Sequence, residues 1–274
     1  MILKVYIPYH KRNPYLLLRS IIDIEKQILN LKDTKLFIEI IANGNAEKTN
    51  PLDKKYKYPT FYKYYTNIKN ASDARNKAVK ESINIKCNSF DLFVGHDYDD
   101  FYKDKYSLQK ILSPIIENDK LGLCFGNAIF KYQNESLKKL YNNHSKLSSF
   151  LKRNSDDNVY DSIINYIAEY YFFPSQATVY KRSIALEIGG FPKCRSLEDR
   201  IFTIKYLQYL KEHEINMQFI NKPIIFYVQH NRSESIQNYK NGIRNRVIKV
   251  LKGWYKLYCN SSEKIPDLYK YIIN

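Results

Sequence analysis

The period of apolar and polar positions changes several times along the first hundred residues. Leu3–Pro8 (LKVYIP) is a short run rich in β-formers and closed by a proline, which predicts a strand. Asn13 and Pro14 offer an N-cap and a first-turn proline. Leu17, Ile21, Ile24 and Ile28 then recur at helical spacing beside Leu18, Ile22 and Leu29. That stretch predicts an amphipathic helix. Lys35–Ala42 (KLFIEIIA) predicts a second strand, stopped by the turn signal Asn43–Asn45. Pro59–Tyr65 alternates like a third strand. Asn70–Ser82 predicts a helix with Ser72 as its cap and Ala74 and Ala78 on one face, and Asp91–Gly95 (DLFVG) a fourth strand.

Strand, helix, strand, strand, helix, strand describes an α/β layer structure with a mainly parallel sheet flanked by helices. Open sheets of this kind bind ligands outside the carboxyl ends of their strands. The polar residues of this half collect at those ends: Pro8–Arg12, Asn43–Asn45 and His96–Asp100. The second half is less regular. Leu121–Phe130 predicts a strand, Asp161–Phe173 a helix, and Gln176–Cys194 a strand, a helix and a glycine-rich turn. Leu197–Glu214 predicts a helix, and Lys222–His230 a strand ending on histidine. The remainder is basic, aromatic and helical, with no internal repeat and no low-complexity linker.

Length and charge narrow the picture. The 274 residues suit one domain or slightly more, at roughly 100–200 residues per domain. Forty-four Lys and Arg against 28 Asp and Glu give a net charge of +16. That excess points to phosphate-bearing partners, or else to a Lys-, Asn-, Ile- and Tyr-rich codon bias. Cys87, Cys124, Cys194 and Cys259 are scattered without zinc spacing, which favours a reducing compartment. The N-terminal apolar run is too short for a signal peptide, and no stretch approaches the roughly 20 apolar residues of a membrane span. The expectation is a cytoplasmic protein.

Against this basic background, FDLFVGHDYDDFYKD (Phe90–Asp104) concentrates acid at the end of a predicted buried strand. Carboxylates two apart at a strand exit can chelate a hard cation such as Mg²⁺ or Mn²⁺, which prefers oxygen ligands. Such a cation could bridge a diphosphate, so the acids need only hold the ion that meets the phosphates. The competing reading is an acidic turn or helix cap. An EF-hand beginning at Asp97 is excluded, because Tyr102 and Leu108 stand where that loop needs Gly and Glu.

The chain resembles the family 2 glycosyltransferases of the GT-A fold from about Leu3 to Ile236. The resemblance is carried in order by VYIPYHKRNPYLLLRSIIDIEKQ, IEIIANGN, NASDARNKAV, FVGHDYDDFY and ATVYKRSIALEIGGFPKCRSLEDRIFTIKYL. It implies a Rossmann-like GT-A domain over 1–236, with a nucleotide-binding half (1–100) and an acceptor half (101–236), followed by a basic helical extension (237–274). It implies metal-dependent transfer of a sugar, with inversion, from a nucleotide diphosphate sugar to a hydroxyl acceptor. UDP-sugars are the favoured donors, and a glycan or lipid-linked molecule in surface glycan synthesis the expected acceptor. By position, Pro8, Tyr9, His10 and Arg12 would line the nucleotide pocket. Asn43 stands where the family usually has an aspartate against the base, and an amide still offers both donor and acceptor. Arg75 would lie near the phosphates, or else be a structural arginine.

Asp97 and Asp99 correspond to the acidic pair, Asp97 towards ribose and Asp99 on a Mn²⁺ or Mg²⁺ ion, with Asp100 as a substitute in either role. His96 reads as a wall of the site. His230 corresponds to a third metal ligand or to a structural histidine. Asp199 corresponds to the general base that takes the acceptor proton. Glu198 beside it counts among the donor-side residues, and both acids also suit a helix N-terminus. Gly190, after Gly189, would let backbone approach the donor sugar, or form a tight turn.

Two other classes compete. A nucleic-acid-binding protein fits the charge and the Tyr/Lys/Arg-rich tail, and the two readings meet in a transferase acting on a modified base. A membrane-surface role rests on Arg244–Tyr258 as a basic amphipathic helix, which could bring an enzyme to a lipid-linked acceptor.

Overall fold

A computed structural model describes residues 1–10, 13–31, 33–52, 55–68, 70–81, 91–132, 159–170, 174–193 and 198–229. Arg12, His230 and the 237–274 extension therefore lie outside the described residues. The chain runs β1 (Ile2–Tyr9), α1 (Pro14–Glu25), β2 (Lys35–Asn43), β3 (Thr60–Tyr65), α2 (Ala71–Lys80), β4 (Leu92–Gly95), β5 (Phe101–Tyr102) and α3 (Ser107–Glu117). It continues through β6 (Leu121–Tyr132), α4 (Val159–Tyr170), β7 (Thr178–Lys181), α5 (Arg182–Glu187), α6 (Glu198–Glu212) and β8 (Asn216–Gln229).

The eight strands form one sheet in the order β3-β2-β1-β4-β7-β6-β8-β5. The first four are parallel, β7 is antiparallel to β4 and β6, and β5 is antiparallel to β8. The winding reverses between β1 and β4, so a crevice opens beyond their carboxyl ends. Strand alternation then decides which side chain meets which layer. Leu3, Val5, Ile7 and Tyr9 pack with Leu17, Ile21 and Ile24 of α1 and with Leu108, Ile111 and Leu112 of α3. Tyr6 and Phe93 face the opposite layer, with Ala74 and Ala78 of α2 and Phe202 and Tyr206 of α6.

Helix α1 starts as expected, with the Asn13 side chain accepting from the Leu16 N–H at 3.2 Å and Pro14 in the first turn. Helix α2 differs. Its cap is Asn70, which accepts from the Asp73 N–H at 2.9 Å, while Ser72 lies buried inside the helix. Only the residue preceding the first helical one can offer its side chain to the free N–H groups of the first turn.

Helix α3 and the two-residue β5 follow directly on the acidic segment and were not expected. Strand β8 begins at Asn216 rather than Lys222. Its pairing with β6 is irregular between Gly126 and Ala128, where β8 advances from Ile220 to Pro223 opposite a single step. Pro223 sits at that irregularity, where a missing N–H costs least. Among the described residues no helix is long and apolar enough to cross a membrane.

Candidate functional site

The site is built where β4 leaves the sheet. Gly95 is needed there, because a Cβ would stand 2.8 Å from the Tyr6 hydroxyl. The chain then turns, with the Asp100 N–H donating to the Asp97 carbonyl at 3.1 Å. The acids of this turn meet different fates.

Asp97 keeps a side chain 30% exposed. It accepts from the Gln176 amide at 2.5 Å and lies 3.7 Å from the Arg75 guanidinium. Burial raises its pKa above the usual aspartate range; Arg75 and the Gln176 hydrogen bond oppose that shift. Asp99 is half-buried, and its carbonyl accepts from Arg19 at 2.8 Å.

Asp100 corrects the expectation of a substitute ligand. It is only 2% exposed, and its Oδ1 accepts from the Val228 N–H at 2.8 Å, fastening the turn to β8. Burial and the neighbouring Asp99 and Asp97 push its pKa well up. His96, expected as a wall, is fully buried. Its ring stacks 4.9 Å from Tyr102, and burial holds its pKa down at about 3, so it stays neutral.

Arg75 forms an ion pair with Glu198 as well as with Asp97. It is the fifth residue of α2, and its charge is committed to carboxylates. These partners raise its pKa further, against the cost of burial. Asp199, next to Glu198 on the first turn of α6, is half-buried. Its Oδ1 accepts from the Arg200 N–H at 2.9 Å, and its Oδ2 lies 3.5 Å from the Ser175 hydroxyl. Arg75, Asp97, Ser175 and Gln176, with Tyr6 and Tyr180, line a cavity of about 10 Å³, room for about one water molecule.

Three other expected positions are placed differently. Tyr9 turns away from the crevice: its ring is fully buried beneath α1 and its hydroxyl donates to Glu47 at 2.8 Å, as alternation from Leu3 dictates. Gly190 serves the turn rather than an open approach. Its φ of 78° and a Cβ position 2.4 Å from Asn76 Oδ1 both demand glycine. Asn43 is buried at the end of β2, its amide 3.5 Å from the Ile68 carbonyl. Pro8 is half-buried and His10 exposed, its ring edge-on to Tyr98 at 6.4 Å. Both lie at the carboxyl end of β1.

Sequence reasoning missed Asn76, Ser175 and Gln176. Asn76 stands in the same ARN triplet as Arg75. It donates to the Phe191 carbonyl at 2.7 Å and accepts from the Phe191 N–H at 2.8 Å, which fixes the glycine turn to α2. Both Ser175 and Gln176 precede β7 in a single helical turn. A polar pair ahead of a strand was the one available signal.

The residues present fit a divalent cation of the Mg²⁺ or Mn²⁺ kind. Asp97 and Asp99 stand two apart in one turn, near enough for the charge of Asp99 to act on Asp97, and such ions take one or two carboxylates with the rest from phosphate and water. Among the described residues, no group of three His, Cys, Asp or Glu side chains forms a cage of its own.

Neither a family model nor a curated protein sequence matches the chain. Solved structures do. S. aureus TarS 1–349 in complex with UDP-GlcNAc aligns at a TM-score of 0.60 and 16% identity over 92% of this chain and 66% of that one. The mannosyltransferase PcManGT from Pyrobaculum calidifontis, in complex with GDP-Man and Mn²⁺, aligns at 0.56 and 14% identity over 99% of this chain and 67% of that one. The longer TarS chain aligns at 0.58 and 17% identity, and this chain spans 40% of its length. The chain therefore has the fold of these nucleotide-sugar-binding proteins, a GT-A-like α/β fold.

Proposed function

We propose that this chain is an inverting glycosyltransferase that takes its sugar from a nucleotide diphosphate. The carrying observation is the placement of Asp97 and Asp199 in one crevice beyond β1 and β4, tied together through Arg75 and Glu198. Two solved structures that share this fold hold a donor, one UDP-GlcNAc and one GDP-Man.

In this reading Asp97 and Asp99 form the donor side and would hold Mn²⁺ or Mg²⁺. That cation, when bound, neutralises charge on the pyrophosphate as it leaves. On the opposite side Asp199 accepts the proton of the acceptor hydroxyl. The hydroxyl oxygen forms its bond to the anomeric carbon while the bond from that carbon to the diphosphate oxygen breaks. The electron pair departs with the nucleoside diphosphate, and attack from the face opposite the leaving group inverts the centre. Arg75 holds Asp97 and Glu198 in register, keeping three acids compatible at one rim. UDP is the favoured carrier, with a glycan or lipid-linked hydroxyl as acceptor, in a cytoplasmic setting.

A thermal-shift screen of UDP- and GDP-sugars with and without Mn²⁺ tests the donor side, and a rise in melting temperature that needs the ion is expected. Asp199→Asn should keep that shift yet lose transfer by at least about 100-fold, the usual scale of general-base catalysis. Equal turnover by Asp199→Asn and wild type removes Asp199 from the mechanism.

A further inference from the structure

We propose that Ser175 and Gln176 are positioning residues that fix the donor-side Asp97 and the acceptor-side Asp199 relative to each other; this rests on the transferase reading above. Gln176 is 4% exposed, and its Nε2 donates to Asp97 Oδ2 at 2.5 Å. Its Oε1 accepts from the Ser175 hydroxyl at 3.2 Å, and that hydroxyl also stands 3.5 Å from Asp199 Oδ2. A serine hydroxyl has one proton, so Ser175 serves either the amide or the carboxylate at a given moment. Its longer contact is of the kind that tightens when substrate fills a site.

Local architecture alone does not account for these side chains. The turn is already closed by the Ala177 N–H to the Pro174 carbonyl at 2.8 Å and by Thr178 Oγ1 to the same carbonyl at 2.7 Å. Neither bond involves Ser175 or Gln176. The chemistry of the donor also has a reason. A neutral amide orients a carboxylate without adding a second positive charge beside that of Arg75. Lysine at position 176 would add that second charge and a second ion pair at Asp97. The dipeptide thus forms a second bridge across the crevice, parallel to Asp97–Arg75–Glu198.

Gln176→Leu, Ser175→Ala and Ser175→Thr test the proposal. Binding of UDP and GDP with Mn²⁺ is followed by calorimetry, and turnover by release of the nucleotide from UDP-GlcNAc and GDP-Man with water as acceptor. Gln176→Leu should weaken nucleotide binding by about 10-fold, the scale of one hydrogen bond to a charged group, with a melting temperature close to wild type. Ser175→Ala should lower kcat by about 10-fold at unchanged KM, and Ser175→Thr, which keeps the hydroxyl, should restore it. Wild-type binding and turnover in Gln176→Leu and Ser175→Ala, beside an impaired Asp97→Ala, overturn the positioning role and leave the transferase reading standing. Equal losses in Ser175→Ala and Ser175→Thr indicate packing and also overturn it. A wild-type chain that binds neither nucleotide with Mn²⁺ overturns the transferase reading, and the positioning role with it.

Discussion

Four aspartates at or beside this site have one chemical formula and several behaviours, decided by what each one touches. Asp97 meets an amide and a guanidinium, Asp100 a backbone N–H of β8, and Asp199 its own helix terminus. Asp23 of α1 lies 3.9 Å from His96 and accepts from the Tyr102 N–H at 2.6 Å. Burial raises its pKa to about 6, although the Tyr102 N–H and the cationic Lys26 and Arg19 oppose the rise. The folded pKa thus exceeds the unfolded value of 3.8. The folded chain binds the extra proton between these values, so the stability this group contributes is lost as pH rises through about 6. Asp23→Asn, whose carbonyl can still accept from Tyr102, should melt higher than wild type at pH 7.5, with an upper bound of about 3 kcal/mol. That advantage should vanish by about pH 4. Melting curves of both proteins across this range check the sign.

Elements are fastened to one another by a few side chains that reach across them. Asn76 holds the Gly189–Phe191 turn to α2 through two hydrogen bonds to the Phe191 backbone. Asn76→Ala should cost about 2–3 kcal/mol, leaving both Phe191 backbone groups unpaired in a half-buried setting. Asn76→Asp keeps only the acceptor and should fall between the two. Urea denaturation of the three proteins measures the order. Helix α3 shows the limit of reading elements one at a time. Its Leu108, Ile111, Leu112 and Ile115 are buried and helically spaced, yet the acidic cluster just before them drew the reading to chemistry instead.

At the scale of the molecule, two apolar layers enclose a sheet whose parallel half carries a buried charged cluster. Lys4 and Glu39, on adjacent parallel strands, are both fully buried with their charged atoms 2.7 Å apart. Lys63 of β3 reaches the other oxygen of Glu39 at 2.5 Å. The Lys4 ammonium also donates to the carbonyls of Ala78 and Glu81 at 2.7 and 3.1 Å, closing the C-terminus of α2. Desolvation lowers the Lys4 pKa to about 8 even with Glu39 beside it. Lys4→Met should cost about 3–5 kcal/mol by leaving Glu39 with only its half-exposed partner. Lys4→Met combined with Glu39→Leu should recover much of that loss, since buried ion pairs are often matched by apolar packing. Equilibrium unfolding of the single and double variants decides it.

The sequence by itself determined the alternation of strands and helices in the first half, the Asn13–Pro14 start of α1, the glycine turn and the rim where the acids gather. Those features follow from the period of apolar positions and from caps and turns, which act over a few residues. Tertiary structure alone decided which acids face the crevice and which fasten the fold. Asp97 is fixed by Gln176, 79 residues away, and Asp100 by Val228, 128 residues away, while Arg75 finds Glu198 at a separation of 123. A carboxylate's role depends on the partners and burial it meets, and those are set by strand order, which leaves no mark at the aspartate itself.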